Sequence, residues 1–280
     1  MPNRYYPVLT ALLVIIQLLL ITGIARCEVK EYKVGVVPQF EQRKLYRIWR
    51  PVLDRLEKLT HFKFTLVGTS KIPEFEKHLY AGKFDIAYMN PFHLIKSQKT
   101  QGYLPVIHDG SRKLKGILVV HKNSVFTDPR QLDKKIVAFP SPNALGASLL
   151  LRAELEKLFN VTIEPKYVRT HSSVYLHVAK HLADAGGGIR RTLDAQDNNV
   201  KDELRIIHET QGIAPHPIAI HPRVPANDKQ KIISALIEMG RNETDSRLLA
   251  DIPITTVNKT SLSDYKSLSE LGLGQYYVDQ

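Results

Sequence analysis

The strongest constraint on this chain is an alternation that recurs five times. A short apolar run is followed by a polar or proline break and then by apolar residues at helical spacing. The first unit is Tyr32–Val37, broken at Pro38-Gln39 and followed by the stripe Leu45, Ile48, Trp49, Val52, Leu53, Leu56 and Leu59. Pro51 falls inside that stripe and predicts a kink or a restart, because proline lacks the N–H an inner helical turn uses. Phe62–Val67 alternates as a second strand, after which Pro73 opens a short helix that Gly82 stops. Phe84–Met89 runs into Asn90-Pro91, a favoured cap followed by a favoured first helical residue. Lys135–Phe139 runs into Pro140-Ser141-Pro142-Asn143, and Leu149, Leu150, Ala153, Leu155 and Leu158 give the next helix its buried face. Lys166–Arg169 runs into Thr170-His171-Ser172-Ser173, then Val174, Val178 and Leu182 at helical spacing, with Gly186-Gly187-Gly188 as the stop. Strands alternating with helices in this way predict an α/β fold built on parallel sheet.

In open sheets of that kind, ligands sit beyond the carboxyl ends of strands, where helices begin. A helix start offers unpaired N–H groups and the positive end of a dipole, which suit phosphate, sulfate or carboxylate. The junctions at 38–41, 89–91, 140–144 and 170–173 carry capping or small polar residues. Singly they are the caps and turns of any α/β fold; convergent on one crevice, they would form an oxyanion site. Gln39, Asn90, Asn143, Arg169, Ser172 and Ser173 are the candidate contacts they contribute. Arg169 has the fork to pair an anion bidentately. Arg190 and Arg191, beside the triple glycine, could face the cleft or merely solvent, with solvent favoured, and His216 and His221, in a proline-rich stretch, are read as structural.

The first 27 residues do not belong to this globule. Arg4 precedes an apolar run from Val8 to Ala25, which the charged sequence beginning at Arg26 stops. This has the form of a secretory signal cleaved near Glu28, and an uncleaved N-terminal anchor is the alternative. Either reading makes the remainder periplasmic or otherwise extracytoplasmic. Cys27 is the only cysteine, so the mature chain has no internal disulfide.

The chain of 280 residues carries a formal charge of +11; losing Arg4 and Arg26 with the leader lowers it by two, to +9. Such a field attracts anions. Its basic residues are scattered, with no zinc, basic-helix or aromatic-interleaved motif, which argues against nucleic acid as a partner. Enzyme chemistry is not expected either. No Gly-x-Ser-x-Gly or phosphate loop occurs, and His177 and His181, although four apart on one helix, lack the zincin glutamate and a third ligand. No metal or cofactor is expected.

At its strand-to-helix junctions the sequence resembles the periplasmic phosphate/phosphite/phosphonate-binding family of ABC-type transporters, over essentially the whole mature chain. The segments that carry the likeness are Val34-Gly35-Val36-Val37-Pro38-Gln39, Trp49-Arg50-Pro51-Val52-Leu53 and the run from Phe84 to His93. Ala138-Phe139-Pro140-Ser141-Pro142, His171-Ser172-Ser173-Val174 and Gly186-Gly187-Gly188-Ile189 complete the series. The resemblance implies a two-lobed type II periplasmic-binding-protein fold with a hinge and an interlobe ligand cleft. Residues 28–115 and 216–280 would form one lobe and 116–215 the other. Gly116–His121 would carry the chain across, and Ile213–Pro225 would bring it back.

The resemblance places the ring and hydroxyl of Tyr88 and the imidazole of His171 at the ligand, with Ser172 and Ser173 starting the adjacent helix. It departs from the family at Asn143-Ala144-Leu145-Gly146, where phosphonate binders have consecutive hydroxyls. It implies a small anionic ligand and, as protein partner, a membrane permease or a membrane sensor kinase.

Overall fold

The computed structural model describes residues 29–278. All five expected strands are present, as β1 (Glu31–Val36), β2 (Lys63–Val67), β3 (Ile86–Tyr88), β6 (Ile136–Phe139) and β7 (Glu164–Tyr167), joined by β4 (Leu104–Asp109), β5 (Ile117–His121), β8 (Ala185–Gly188), β9 (Leu204–Glu209), β10 (Ile218–Ile220) and β11 (Val257–Lys259). They form two sheets, one ordered β11-β4-β10-β3-β1-β2 and the other β7-β6-β8-β5-β9. In the first sheet β1 runs parallel to β2 and β3, and β10 returns antiparallel between β3 and β4. In the second, β6 is parallel to β7 and β8, while β5 runs antiparallel to β8 and β9. Each sheet is the floor of one lobe.

The helices lie between these strands. They are α1 (Gln42–Thr60), α2 (Ile72–Tyr80), α3 (Pro91–Gln101), α4 (Leu151–Phe159), α5 (His171–Ala179), α6 (Arg190–Asp194), α7 (Asn198–Lys201), α8 (Ala226–Arg241) and α9 (Glu243–Asp251). Helix α1 is continuous through Pro51, so the chain does not restart there. Its apolar stripe is buried end to end, through Leu45, Trp49, Val52, Leu53 and Leu56, and that burial outweighs one missing hydrogen bond. Among the described residues no helix is long and apolar enough to cross a membrane.

The triple glycine is not a helix stop. It is the body of β8, in the middle of the second sheet. Side chains cannot stand there because the neighbours are too close: a Cβ on Gly187 would meet the Ala147 carbonyl and the Phe139 ring, and one on Gly188 the Tyr175 hydroxyl. Glycine is depleted in strands unless another group approaches closely, and this strand is such a case.

Two chain crossings join the lobes, at residues 110–116 and 210–217. They pair with each other through reciprocal Leu114–Ile213 backbone bonds of 2.9 Å. Gly116–His121, the stretch expected to carry the chain into the second lobe, contains β5, an internal and fully buried strand of the second sheet. After α9 and β11 the chain passes through short 3-10 turns (Leu262–Leu271 and Leu273–Tyr276). There Leu268, Leu273 and Tyr276 share an apolar cluster with Leu114 and Ile213 of the crossings and Leu145, Leu149 and Leu150 of the second lobe. The final turns thus tie the crossings to both lobes.

Candidate functional site

The carboxyl ends of β1, β3 and β6 meet between the lobes, beside the crossings. Two adjoining cavities lie there, and Gln39, Ile189 and His216 line both. The larger holds about 330 Å³ and the smaller about 20 Å³.

The smaller cavity is where the 140–144 junction meets the first lobe. Its wall includes Asn90, His171, Ala144, Gly146 and Ala147. The stretch Leu145–Leu150 is a turn of π-type helix, with both Ser148 and Leu149 N–H groups directed at the Ala144 carbonyl. Ala144 and Ala147 are packed into the apolar core of the first lobe. A space of 20 Å³ is about that of one water molecule. No hydroxyl from 143–147 faces it, because those residues are Asn, Ala, Leu, Gly and Ala.

The histidines here are neutral. Burial alone pushes His171 down to about 4, and its Nδ1 lies 3.2 Å from the Thr192 hydroxyl. His216 is pushed down to about 3, first by burial and then by proximity to His93 and His171. Its ring stacks on Tyr88 at 5.4 Å, and its Nε2 lies 3.3 Å from the Gln39 amide nitrogen.

Charge is found in the larger cavity. Arg112, Lys113, Lys115, Arg190 and Arg191 contribute five cations to its wall against two carboxylates, Asp109 and Glu209. Asp109 is buried and already accepts bonds from the Ser111 hydroxyl and the Thr255 and Thr256 N–H groups. Glu209 pairs with Arg190 at 2.7 Å and Lys115 at 3.6 Å. Arg191 spans the lobes, donating to the carbonyls of Ala250 (2.8 Å) and Asp251 at the end of α9. Tyr88 also lines this cavity, and no hydrogen bond to its hydroxyl occurs among the described residues. Burial raises that hydroxyl's pKa, while Arg191 draws it down, so it is a neutral donor.

The candidate residues therefore separate into two groups. Gln39, Tyr88, Asn90 and His171 line one or both cavities. Asn143 does not. Its amide is used inside the protein, donating to Glu76 (3.1 Å) and the Val278 carbonyl (2.8 Å) and accepting from the Val278 N–H (3.0 Å). Arg169 is exposed, adopts a left-handed φ of 78° and lines neither cavity. Ser172 and Ser173 line neither as well. Thr170 caps α5, and the Ser173 N–H and hydroxyl turn to it.

Arg112 was not among the residues singled out from the sequence; it lines the larger cavity together with His216, read as structural, and Arg191, for which solvent was favoured over the cleft.

A family model described as ABC transporter, phosphonate, periplasmic substrate-binding protein matches residues 34–265. The chain belongs to that family. No curated protein matches it in sequence. Among solved structures it is similar to a binding-protein component of an ABC phosphonate transporter from Pseudomonas aeruginosa, with 15% identity and a TM-score of 0.76 over 87% of this chain and 86% of that one. It is also similar to PhnD1 from Prochlorococcus marinus in complex with methylphosphonate, with 13% identity and a TM-score of 0.80 over 89% and 99%. A Xanthomonas citri protein bound to chloride aligns at 16% identity and a TM-score of 0.68 over 88% and 98%. These likenesses establish the two-lobed type II periplasmic-binding-protein fold. The family is a periplasmic, substrate-binding component of transport; the leader read at residues 1–27 lies outside the described residues.

Proposed function

We propose that the protein is an exported solute-binding protein that closes over an oxyanion of the phosphate, phosphite or phosphonate type and delivers it to the permease of an ABC transporter. The observation that carries this reading is the interlobe cavity itself, with five cations against two carboxylates and a free tyrosine hydroxyl. Preorganised cationic forks and neutral donors recognise an oxyanion by charge-assisted hydrogen bonds. The family match is to a transport component, which favours delivery to a permease over presentation to a sensor kinase. Nothing in the reading assigns a bond-making or bond-breaking step.

The test is a thermal melt of the protein against phosphate, phosphite, alkylphosphonates, sulfate, small carboxylates, and neutral and cationic controls. A ligand that binds only the folded state raises the midpoint, by mass action. An oxyanion should raise it, and Tyr88→Phe should reduce the rise. A midpoint moved only by neutral or cationic solutes overturns the proposal.

A further inference from the structure

We propose that the ligand is an organic anion with a sizeable apolar body, and that its charged group sits against Arg112 and Arg191 in the larger cavity rather than at the helix start after β6. This rests on the reading of the cleft as an anion site and narrows what that site accepts.

Three observations lead there. The helix start after β6 has little space for a tetrahedral oxyanion and offers it no side-chain hydroxyl between residues 143 and 147. The remaining 20 Å³ accommodates about one water, and Ala144 and Ala147 are held in the first lobe's core. The imidazoles that reach it, His171 and His216, are uncharged at neutral pH, so no cation waits there. The larger cavity has both space and charge. Its 330 Å³ falls within the range of small-molecule sites and corresponds to about eleven water volumes.

The walls of that cavity are divided. Leu114, Ile117 and Ile189 offer apolar surface, continued by the stacked faces of Tyr88 and His216. The cations stand around this surface. Arg191 uses two of its five N–H groups on the α9 carbonyls; Arg112 uses one on the Thr255 hydroxyl (3.1 Å) and sets its Nε 3.6 Å from the Asp109 carboxylate. Both therefore keep donors for a ligand. A ligand the size of methylphosphonate would satisfy the guanidiniums and leave the apolar wall wet. A phosphonate bearing an aromatic or branched substituent, with about ten non-hydrogen atoms, fills both.

Isothermal titration with phenylphosphonate, methylphosphonate, phosphate and benzyl alcohol tests this on the whole protein. Phenylphosphonate should bind at least tenfold more tightly than methylphosphonate or phosphate, and benzyl alcohol should not compete. Arg112→Ala and Arg191→Ala should each weaken phenylphosphonate at least tenfold, measured on variants whose far-UV circular dichroism matches that of the unmodified protein. Equal or tighter binding of methylphosphonate or phosphate overturns the large-body proposal and leaves the oxyanion reading intact. Unchanged phenylphosphonate affinity in the Arg112→Ala/Arg191→Ala double variant overturns the placement. Binding of benzyl alcohol with no response to any anion overturns both this inference and the reading beneath it.

Discussion

Replacing Asn143 should separate the lobes before it unfolds them. Its side chain is fully buried in the second lobe, yet its partners are elsewhere: Glu76 on α2 of the first lobe, at 3.1 Å, and both backbone groups of Val278. Its carbonyl also accepts from the Asn90 amide at 3.2 Å. Asn143→Ala keeps that last bond and removes the other three. A hydrogen bond to a charged group contributes about 1.5–3 kcal/mol and a neutral one about 0.5–1.5 kcal/mol. The Val278 groups lie near the surface and can turn to water, so their loss falls at the low end; the Glu76 carboxylate is buried and keeps His93, at 3.0 Å, and the Tyr277 hydroxyl, at 3.5 Å. The sum is about 3 kcal/mol, and for a chain of this size each kcal/mol moves the melting temperature by about 2–4 °C. A drop of about 6–12 °C is expected in calorimetry, with a larger radius of gyration in small-angle scattering of the free protein. Asn143→Asp should be worse than alanine at pH 7, since it sets a second carboxylate beside Glu76. A fall below about 2 °C, or a better-tolerated aspartate, would show that this network does not hold the lobes.

Other consequences are equally open to measurement. His171 and His216 titrate near 4 and 3 in the folded protein against 6.5 in the free side chain, so the unfolded chain binds more protons between those values. Their contribution is complete above about pH 6.5 and is lost as pH falls toward 4 and then 3, at roughly 1.4 kcal/mol per pH unit for each. Urea midpoints should therefore drop from pH 7 to pH 5, and less steeply in His216→Gln; an unchanged slope in that variant refutes the assignment. Gly188→Ala should cost about 1–3 kcal/mol by overpacking, because the new methyl displaces the Tyr175 hydroxyl from Thr192 (2.7 Å) and the Ile189 carbonyl (3.0 Å). Chemical denaturation would show it, and a neutral result would mean that Tyr175 has room to move. Truncation after Gly272 removes Leu273 and Tyr276 from the apolar cluster at the crossings and should raise 8-anilinonaphthalene-1-sulfonate fluorescence of the folded protein; an unchanged signal would mean that the cluster closes without them.

The strand-helix units were legible because their signal is local. Period and caps are properties of neighbouring residues, and Asn90 does cap α3, accepting from the His93 N–H at 2.8 Å. The triple glycine was misread because its reason is tertiary: Tyr175, Phe139 and Ala147 come from other elements to occupy the space of the missing side chains. At Pro51 the helix runs on rather than restarting, a local penalty offset by a buried stripe. The site was half legible. Residues ending the parallel strands β1 and β3, Gln39 and Tyr88, could be found from the rule that strand ends meet at the cleft. Arg112 and His216 lie on the crossings, where no periodicity marks which side chains turn inward.

Arg191 shows why closure and ligand binding belong to one equilibrium. It reaches from the second lobe to the carbonyl end of α9 in the first, at Ala250 and Asp251, where a cation is favoured by the helix dipole. Lys44 makes the reverse contact, from α1 of the first lobe to the Ala195 carbonyl just past α6 in the second, at 3.1 Å. Burial lowers the pKa of both side chains, Arg191 and Lys44, so each charge is partly withdrawn from water. The desolvation cost of such a charge is offset only in part by neutral carbonyls, and an anion in the cavity beside Arg191 supplies the remainder. On the proposed reading the ligand binds the closed form better than the open one, which is the condition for any ligand to shift a conformational equilibrium. Lys44→Ala, which leaves the cavity wall intact, should accordingly weaken the apparent affinity by the factor through which it depopulates the closed form. Titration of Lys44→Ala beside small-angle scattering of the same free variant measures both quantities, and a weakened affinity with an unchanged free-state conformation would break the link.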